Sequence, residues 1–198
     1  MRKVIVSINV TLDGFMAESN GALDWHFPLW DNEMAKSAYQ QLSRTDTILL
    51  GRVTYQAMAA YYPVAGRNKV CTPNIDTALA NMMNNYPKVV FSRTLQTLAW
   101  RNARLAQAGI AEEIAQLRRL PGKHLMIFGS GSLIAHFMQL DLIDEYLIWV
   151  HPVILGKGNP LFKGIDYKLN LNLLKTKRFE SGVVLLDYEV LHHHKAFV

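Results

Sequence analysis

The sequence predicts an α/β fold with a mostly parallel sheet and an antiparallel edge. Short apolar segments of strand length alternate with segments of helical length along most of the 198 residues, a pattern typical of strands joined by crossover helices. The last two apolar segments, residues 169–179 and 183–191, are separated by Ser181 and Gly182, which favour a tight turn between antiparallel strands. No internal repeat and no long linker divides the chain, so we predict one domain over residues 1–198.

The period of the apolar residues predicts the individual elements. Strand segments are rich in Val, Ile and Leu, and they cover residues 3–12, 47–50, 88–91, 124–128 and 145–150. Asp31 is placed to cap the first helix, whose apolar face begins at Met34. Further helices are predicted at residues 54–61, 76–84, 110–119 and 132–139. Residues 15–30 and 63–73 are predicted to be irregular.

The composition excludes several classes of protein. Half of the residues are hydrophobic and 19% are charged, which is too apolar for a disordered chain. The single cysteine, Cys71, has no partner for an internal disulfide and no Cys or His at the spacing of a zinc site. No apolar run approaches the ~20 residues that span a bilayer. We therefore expect a cytoplasmic protein that has no membrane partner.

The net charge of +5 points to an anionic partner. The basic residues are scattered and are not interleaved with aromatic residues, so we expect no nucleic-acid partner. A phosphorylated small molecule is the favoured ligand. His192 and His194 alternate near the end of the chain, which we interpret as a polar terminus, and we predict no metal site.

The strongest local motif is Phe128-Gly129-Ser130-Gly131-Ser132-Leu133-Ile134. A strand enters a glycine turn and a helix follows, so free backbone N–H groups and the positive end of the helix face one point, which suits a pyrophosphate. The third glycine of a dinucleotide-binding Rossmann turn is missing, and no acidic residue follows at about 20 residues. A plain tight turn between a strand and a helix remains an alternative.

Two other strand ends carry groups that bind anions. They are Gly51-Arg52-Val53-Thr54 and Phe91-Ser92-Arg93-Thr94, in which guanidinium and hydroxyl groups match phosphate oxygens. A capped helix with a solvated arginine and an ordinary polar loop are the alternatives. Because ligands of open α/β sheets bind at the carboxyl ends of the strands, three such segments indicate one ligand with several phosphates, such as a dinucleotide.

As a set, these segments resemble the dihydrofolate reductase-like superfamily. They are most similar to the C-terminal reductase domain of bifunctional riboflavin-biosynthesis deaminase/reductases and its stand-alone relatives. The resemblance runs through residues 7–14 with their T-L-D-G, L-L-G-R-V-T-Y-Q-A-M at 49–58, F-S-R-T at 91–94, F-G-S-G-S-L-I at 128–134, and residues 142–162. It implies a single-domain three-layer dihydrofolate reductase-like fold, with helices on both faces of a mostly parallel mixed sheet and a C-terminal antiparallel hairpin. It also implies a homodimer.

The resemblance further implies an NADPH-dependent reductase that transfers hydride to a small heterocycle, most like 5-amino-6-(5-phosphoribosylamino)uracil reductase. Ser92, Arg93 and Thr94 would lie by the adenosine 2′-phosphate, where an arginine selects NADPH over NADH. The cofactor-binding residues that it implies are Val10, Gly51, Arg52, Thr54, Ser92, Arg93, Thr94, Phe128, Gly129, Ser130, Gly131, Ser132, Leu133 and Ile134.

On the substrate side, Asp13 at the end of the first strand is the candidate catalytic residue, and the alternative is an ordinary Asp-Gly turn. Asn9, Trp25 and Trp149 are candidate substrate-binding residues, although aromatic residues are more often part of a core. The first helix lacks the interior carboxylate that holds the pteridine in dihydrofolate reductases, which disfavours folate. The zinc site of the deaminase is also absent, so we expect the reductase alone.

Two rival functions stay open at this point. One is a true dihydrofolate or pterin reductase. The other, of a different class, is a nucleotide-binding protein that keeps the fold without turnover.

Overall fold

An eight-stranded mixed sheet forms the centre of the computed structural model, which describes residues 1–65 and 77–191. The strand order is β5-β4-β3-β6-β1-β7-β10-β9. The six strands from β5 to β7 are parallel, and β10 and β9 are antiparallel. The strands are β1 Val4–Thr11, β2 Phe15–Ala17, β3 Thr45–Gly51, β4 Lys88–Phe91, β5 Ala103–Leu105, β6 His124–Gly129, β7 Glu145–His151, β8 Asn159–Pro160, β9 Leu171–Arg178 and β10 Val184–Val190. The predicted mostly parallel sheet with an antiparallel hairpin at its end is confirmed.

Helices cover both faces of this sheet, as predicted. The helices are α1 Asn32–Ser43, α2 Arg52–Ala65, α3 Thr77–Asn85, α4 Ile110–Arg119 and α5 Gly131–Gln139. One apolar cluster joins α4 and α5 to one face through residues such as Ile114 and Phe137. A second cluster joins α1, α2 and α3 to the opposite face through residues such as Met34 and Tyr55. The two clusters and the sheet between them make the three layers.

Local chemistry explains where several helices begin and end. The Asp31 carboxylate accepts a hydrogen bond from the Met34 N–H at 2.7 Å, which caps α1 as the sequence predicts. In α4, acidic residues occupy the first turn and basic residues the last, which complements the helix dipole. Pro121 follows its C-terminus and prevents continuation.

The helix α2 differs from its prediction at both ends. It begins at Arg52 directly after β3, with no loop, so Thr54 lies inside the first turn and does not cap the helix. It also includes Pro63, where an irregular segment was predicted. A proline near the end of a helix removes a single N–H donor, and the preceding turns tolerate that loss.

The predicted loop of residues 15–30 contains two short elements. Phe15–Ala17 pairs antiparallel with Asn159–Pro160, so the chain after β1 is tied to the chain after β7. A 3-10 turn covers Phe27–Leu29. The three-residue strand β5 is a further element that the sequence did not predict, because it has only two apolar positions. These elements shape the edge of the sheet on which the candidate site lies.

In the described part of the chain, no helix has both the length and the apolar character needed to cross a membrane. Cys71, His192 and His194 lie outside the described residues, so the predictions made for these three residues stay predictions.

Candidate functional site

The carboxyl ends of β3 and β6 meet so closely that they require glycine. A Cβ atom on Gly51 would lie 2.6 Å from Ser130 Oγ and 2.9 Å from the Ser130 backbone N. A Cβ on Gly129, where φ is +126°, would lie 2.9 Å from Thr54 Oγ1. The peptide bond between Gly129 and Ser130 is cis. The first turn of α2 and the turn before α5 therefore lie against each other. This agrees with the prediction that segments after the carboxyl ends of the strands meet at one edge of the sheet.

A cleft of about 660 Å³ opens beside this junction. It brings together eight of the predicted cofactor residues, from all three segments that are predicted to bind anions. These are Gly51, Arg52, Ser92, Arg93, Thr94, Ser130, Ser132 and Leu133. The tight contact between strand ends thus places segments that are up to 80 residues apart in the sequence around one cavity.

The other predicted cofactor residues lie next to the cleft without lining it. Ile134 is fully buried against the sheet, and Val10 on β1 is 5% exposed. Gly129 and Thr54 form the junction described above. The remaining two are Phe128 and Gly131, at the end of β6 and the start of α5. The assignment of these residues to cofactor binding stays a prediction.

The charge of the cleft is positive. Arg52 and Arg93 are both exposed at its wall, and no described residue that lines it is acidic. The salt bridges among the described residues include neither of them. Within residues 1–65 and 77–191, Arg52 donates to the neutral Gln56 side chain, at 3.2 Å. Two guanidinium groups in one cleft, neither of them paired with a described carboxylate, favour an anionic ligand.

Hydroxyl groups organise the loops of the cleft. Ser92 Oγ accepts hydrogen bonds from the backbone N–H groups of Thr94 at 3.2 Å and Leu95 at 3.0 Å, which forms a turn around Arg93. Ser130 Oγ and Ser132 Oγ lie 2.9 Å apart at the N-terminus of α5, and no side chain caps that helix. Its first N–H groups are therefore available to an anion.

Sequence reasoning missed one wall of the cleft. That wall is the segment from Ala106 to Ile110, together with His136 on α5. The segment follows β5, whose three residues were too few to predict a strand. Its position is maintained by Glu113, whose carboxylate accepts from the Gln107 N–H at 2.9 Å and pairs with Arg104.

A row of polar side chains on β1 leads to the second part of the site. Ser7 Oγ accepts from the Trp149 indole N–H at 3.2 Å, and Asn9 Oδ1 lies 3.0 Å from His151 Nε2. These residues point to the face covered by α1, because alternate residues of a strand share a face. His151 was not predicted as a site residue, although it ends a strand at the same edge.

The predicted aromatic residues differ in their surroundings. Trp149 is 3% exposed, and its ring packs on Phe179 and Trp30 at centroid distances of 5.4 and 5.9 Å. Trp25 is partly exposed and lies edge-on to His151, with ring centroids 5.1 Å apart. In this structure a ligand at the sheet edge can reach Trp25, whereas Trp149 lies within the core.

Asp13, the predicted catalytic residue, already has three protein partners. Its carboxylate accepts from Thr11 Oγ1 at 2.6 Å, from the Gly156 N–H at 2.8 Å and from the Leu155 N–H at 3.3 Å. The hydrogen bond from Thr11 is the main cause that lowers the pKa of Asp13. The ionised carboxylate thus joins the end of β1 to the loop after β7, and its catalytic role stays a prediction.

No carboxylate is buried on α1, all of whose residues are described. The buried side chains are those of Met34, Ala35, Ser37, Gln41 and Leu42. Asp31 is used as the cap, and Glu33 pairs with Lys177 at 2.9 Å on the surface. The site therefore offers no carboxylate from this helix to a protonated pteridine.

Comparison with known sequences places nearly the whole chain in one family. Residues 2–185 match the model of the RibD C-terminal domain. Among curated proteins, uncharacterized protein YyaP of Bacillus subtilis is 36% identical over 187 residues, which is 94% of each chain. Uncharacterized protein YwjB of the same organism is 31% identical over 186 residues, which is 93% of this chain and 96% of YwjB.

Solved structures have the same fold. A protein from Shewanella sp. PV-4, whose name provisionally assigns it to riboflavin biosynthesis, is 25% identical with a TM-score of 0.75, over 96% of this chain and 99% of that one. A deaminase/reductase from Thermotoga maritima has a TM-score of 0.66 at 16% identity, and the match covers 96% of this chain and 56% of that one.

Dihydrofolate reductase from Enterococcus faecalis, solved with NADP(H), has a TM-score of 0.61 at 14% identity, over 96% of this chain and 97% of that one. These last two likenesses concern the fold alone, and they confirm its dihydrofolate reductase-like architecture. The match over residues 2–185, together with the similarity to YyaP, shows that the chain belongs to the RibD C-terminal domain family.

Proposed function

We propose that this protein is an NADPH-dependent reductase that transfers hydride to a small heterocyclic substrate. Within its family the proposed activity is most like that of a 5-amino-6-(5-phosphoribosylamino)uracil reductase. The observation that carries the proposal is the cleft at the carboxyl ends of β3, β4 and β6, where Arg52 and Arg93 lie at a wall to which the described part of the chain contributes no acidic residue.

The residues of the cleft fit a dinucleotide phosphate. Arg93 and the turn around Ser92 suit the 2′-phosphate, which needs a cation and hydroxyl donors. Arg52 and the N-terminus of α5 suit the pyrophosphate. When bound, NADPH supplies a hydride to an electrophilic carbon, and the protein contributes orientation and electrostatics. The name of the Enterococcus structure, a complex with NADP(H), supports the same cofactor, and the name of the Thermotoga protein supports a reduction.

The substrate would lie one strand away from the glycine turn. β1 is the neighbour of β6 in the sheet, so Asn9 and the residues around Asp13 lie beside the predicted cofactor position. Neighbouring strands lie about 4.8 Å apart, so a substrate at the end of β1 would lie next to a cofactor at the end of β6. The absence of a buried carboxylate on α1 favours a neutral heterocycle over a folate.

NADPH fluorescence titration of the purified protein tests the proposal. We expect saturable binding, and binding of NADH should be weaker. Failure to bind NADPH would overturn the proposed reductase function.

Turnover assays then separate the substrates. We expect oxidation of NADPH with the ribosylaminopyrimidine and none with dihydrofolate. The reverse result would favour the pterin alternative. Binding of NADPH without turnover of either substrate would favour a nucleotide-binding protein.

A further inference from the structure

Four residues at the carboxyl ends of β1 and β7 form a cluster, which we call the His151 cluster: Asn9, Trp25, His26 and His151. His151 is fully buried at the end of β7, and its Nε2 lies 3.0 Å from Asn9 Oδ1. The rings of Trp25 and His26 lie edge-on to the imidazole, with centroids 5.1 and 6.0 Å away. None of the four residues lines the cofactor cleft, and Asn9 lies on β1, the strand next to β6.

Two buried nitrogen atoms of this cluster have no hydrogen-bond partner among the described residues. They are His151 Nδ1 and Trp25 Nε1, both inaccessible to solvent in this structure. Buried polar atoms of folded proteins are nearly always paired, so each unpaired atom requires an explanation. Two other indoles, both buried, follow the rule, since Trp100 donates to Asn84 Oδ1 and Trp149 donates to Ser7 Oγ.

The two unpaired atoms have opposite hydrogen-bonding character. Trp25 Nε1–H can only donate. His151 Nε2 faces a carbonyl oxygen of Asn9 and therefore carries the proton, which leaves Nδ1 as an acceptor. Burial, with a smaller contribution from His26, lowers the pKa of His151 to about 4, so the imidazole is neutral near pH 7. The cluster therefore presents one donor and one acceptor.

We propose that Trp25 and His151 determine substrate specificity by recognising a lactam edge, the adjacent C=O and N–H of a planar heterocycle. The Trp25 indole N–H donates to the carbonyl oxygen, and His151 Nδ1 accepts from the ring N–H. Asn9 positions His151 by holding its Nε2 proton. The proposal rests on the proposed reductase function, because it specifies the heterocycle that receives the hydride.

Access to His151 requires movement of one side chain. Trp25 belongs to the segment between β2 and α1 and is itself partly exposed. Its indole can leave the face of His151 without disturbing the sheet, since the core clusters on both faces of the sheet do not contain it. A ligand that enters between the two rings meets both unpaired nitrogens.

A matched pair of pyrimidines tests this recognition by calorimetry at pH 8. 6-Aminouracil has a lactam edge, whereas 2,4,6-triaminopyrimidine has amino groups in place of both carbonyls. We expect the NADP⁺-loaded wild-type protein to bind 6-aminouracil at least tenfold more tightly than triaminopyrimidine.

Variants of the two recognising residues provide the second comparison. His151→Phe and Trp25→Phe should each weaken 6-aminouracil binding roughly tenfold, because one hydrogen bond is lost, and should leave triaminopyrimidine binding unchanged. His151→Gln, which keeps a hydrogen-bond acceptor, should show a stronger preference for 6-aminouracil over triaminopyrimidine than His151→Phe does.

The control variant is His124→Phe, which replaces a histidine at the start of β6, on the opposite edge of the sheet. It should keep the wild-type preference. Equal affinity of the wild-type protein for the two pyrimidines, or no saturable binding of 6-aminouracil, overturns the proposal. An equal loss of affinity for both pyrimidines in His151→Phe also overturns it, because that result indicates a purely structural histidine.

NMR of the wild-type protein provides a second test that needs no variant. The ¹⁵N resonance of His151 Nδ1 should shift on addition of 6-aminouracil and not on addition of triaminopyrimidine. An unchanged resonance at saturating ligand contradicts the proposal. NADPH binding by the wild-type protein is measured separately, so a failure of lactam recognition is distinguished from a failure of the reductase function.

Discussion

At the scale of single residues, two charged groups at strand ends have opposite surroundings. Arg93 projects into the cleft and is absent from the ion pairs among the described residues. Asp13 has its carboxylate surrounded by Thr11 and two backbone N–H groups. A free charge suits ligand binding, whereas a paired charge suits the positioning of a loop. Each assignment leads to a separate prediction.

We expect Arg93→Ala to weaken NADPH binding much more than NADH binding. A hydrogen bond to a charged group contributes about 1.5–3 kcal/mol, so the loss should be roughly ten- to a hundredfold for NADPH. Fluorescence titration with both dinucleotides measures it. Arg119→Ala is the control, because Arg119 ends α4 at the far side from the cleft. An equal loss of affinity for NADPH and NADH would contradict the assignment of Arg93 to the 2′-phosphate.

We expect Asp13→Asn to speed amide hydrogen exchange at Leu155 and Gly156, because a neutral amide accepts more weakly than a carboxylate. The Leu12 amide, which bonds to the Val153 carbonyl at 2.8 Å, is the internal control. The pKa of Asp13 is lowered in the folded protein, so its stabilising effect is present above the ordinary pKa and is lost as the pH falls through the lowered value. Unchanged exchange at both amides would show that Asp13 does not hold this loop.

At the scale of elements, the junction of β3 with the turn after β6 determines the shape of the cleft. Backbone and hydroxyl atoms of Ser130 approach Gly51 to distances that no side chain can occupy. The strand ends, and not any single side chain, thus bring together the three segments that are predicted to bind anions. A change at this junction should affect stability and cofactor binding together.

We expect Gly51→Ala to lower the free energy of unfolding by about 1–3 kcal/mol, because the added methyl group overpacks the junction. The same variant should bind NADPH more weakly. Gly109→Ala is the matched comparison, since a Cβ there meets no atom within 4 Å, and its loss of stability should be smaller. Urea unfolding measures both variants, and equal stability of Gly51→Ala and the wild-type protein would contradict the contact.

At the scale of the whole molecule, burial of a neutral histidine makes stability depend on pH. The folded pKa of His151, about 4, lies below its ordinary value of 6.5. Below pH 6.5 the unfolded chain binds a proton that the folded protein does not, so stability falls as the pH falls from 6.5 towards 4. The loss attributable to this residue is roughly 2–3 kcal/mol.

Urea unfolding at pH 7.5 and pH 5 measures this effect. We expect the difference in unfolding free energy between the two pH values to be smaller in His151→Phe than in the wild-type protein. The variant comparison is needed because burial lowers the pKa of His26 and His124 as well. An identical difference in both proteins would contradict the burial of a neutral His151.

We also expect a homodimer, as the resemblance to related reductase domains implies. The strand β9 is the outer edge of the sheet, and its Leu173 and Leu174 are each 48% exposed. A sheet edge with exposed apolar side chains tends to associate with another chain, and a second copy of this protein would cover it. Light scattering should give twice the chain mass of 22.5 kDa, and a monomer mass at micromolar concentration would contradict the expectation.

The elements that the sequence predicted correctly are those with a strong local signal. The strand at residues 88–91 and the helix capped by Asp31 carry that signal in their own apolar period and capping chemistry. The short strand β5 and the pairing of β2 with β8 have almost none, because two or three residues form a strand only when a neighbour supplies the hydrogen bonds.

By itself, the sequence determined the α/β layers and placed arginine, glycine and hydroxyl groups at three strand ends, because periodicity and residue chemistry are local properties. Only the tertiary structure decided which of these residues share a cleft, that Trp149 lies in the core, and that Asp13 joins two loops. The tertiary structure was also needed to find the buried, unpaired nitrogen atoms of Trp25 and His151. Burial and hydrogen-bond partnership depend on segments more than 100 residues apart, and no local pattern encodes them.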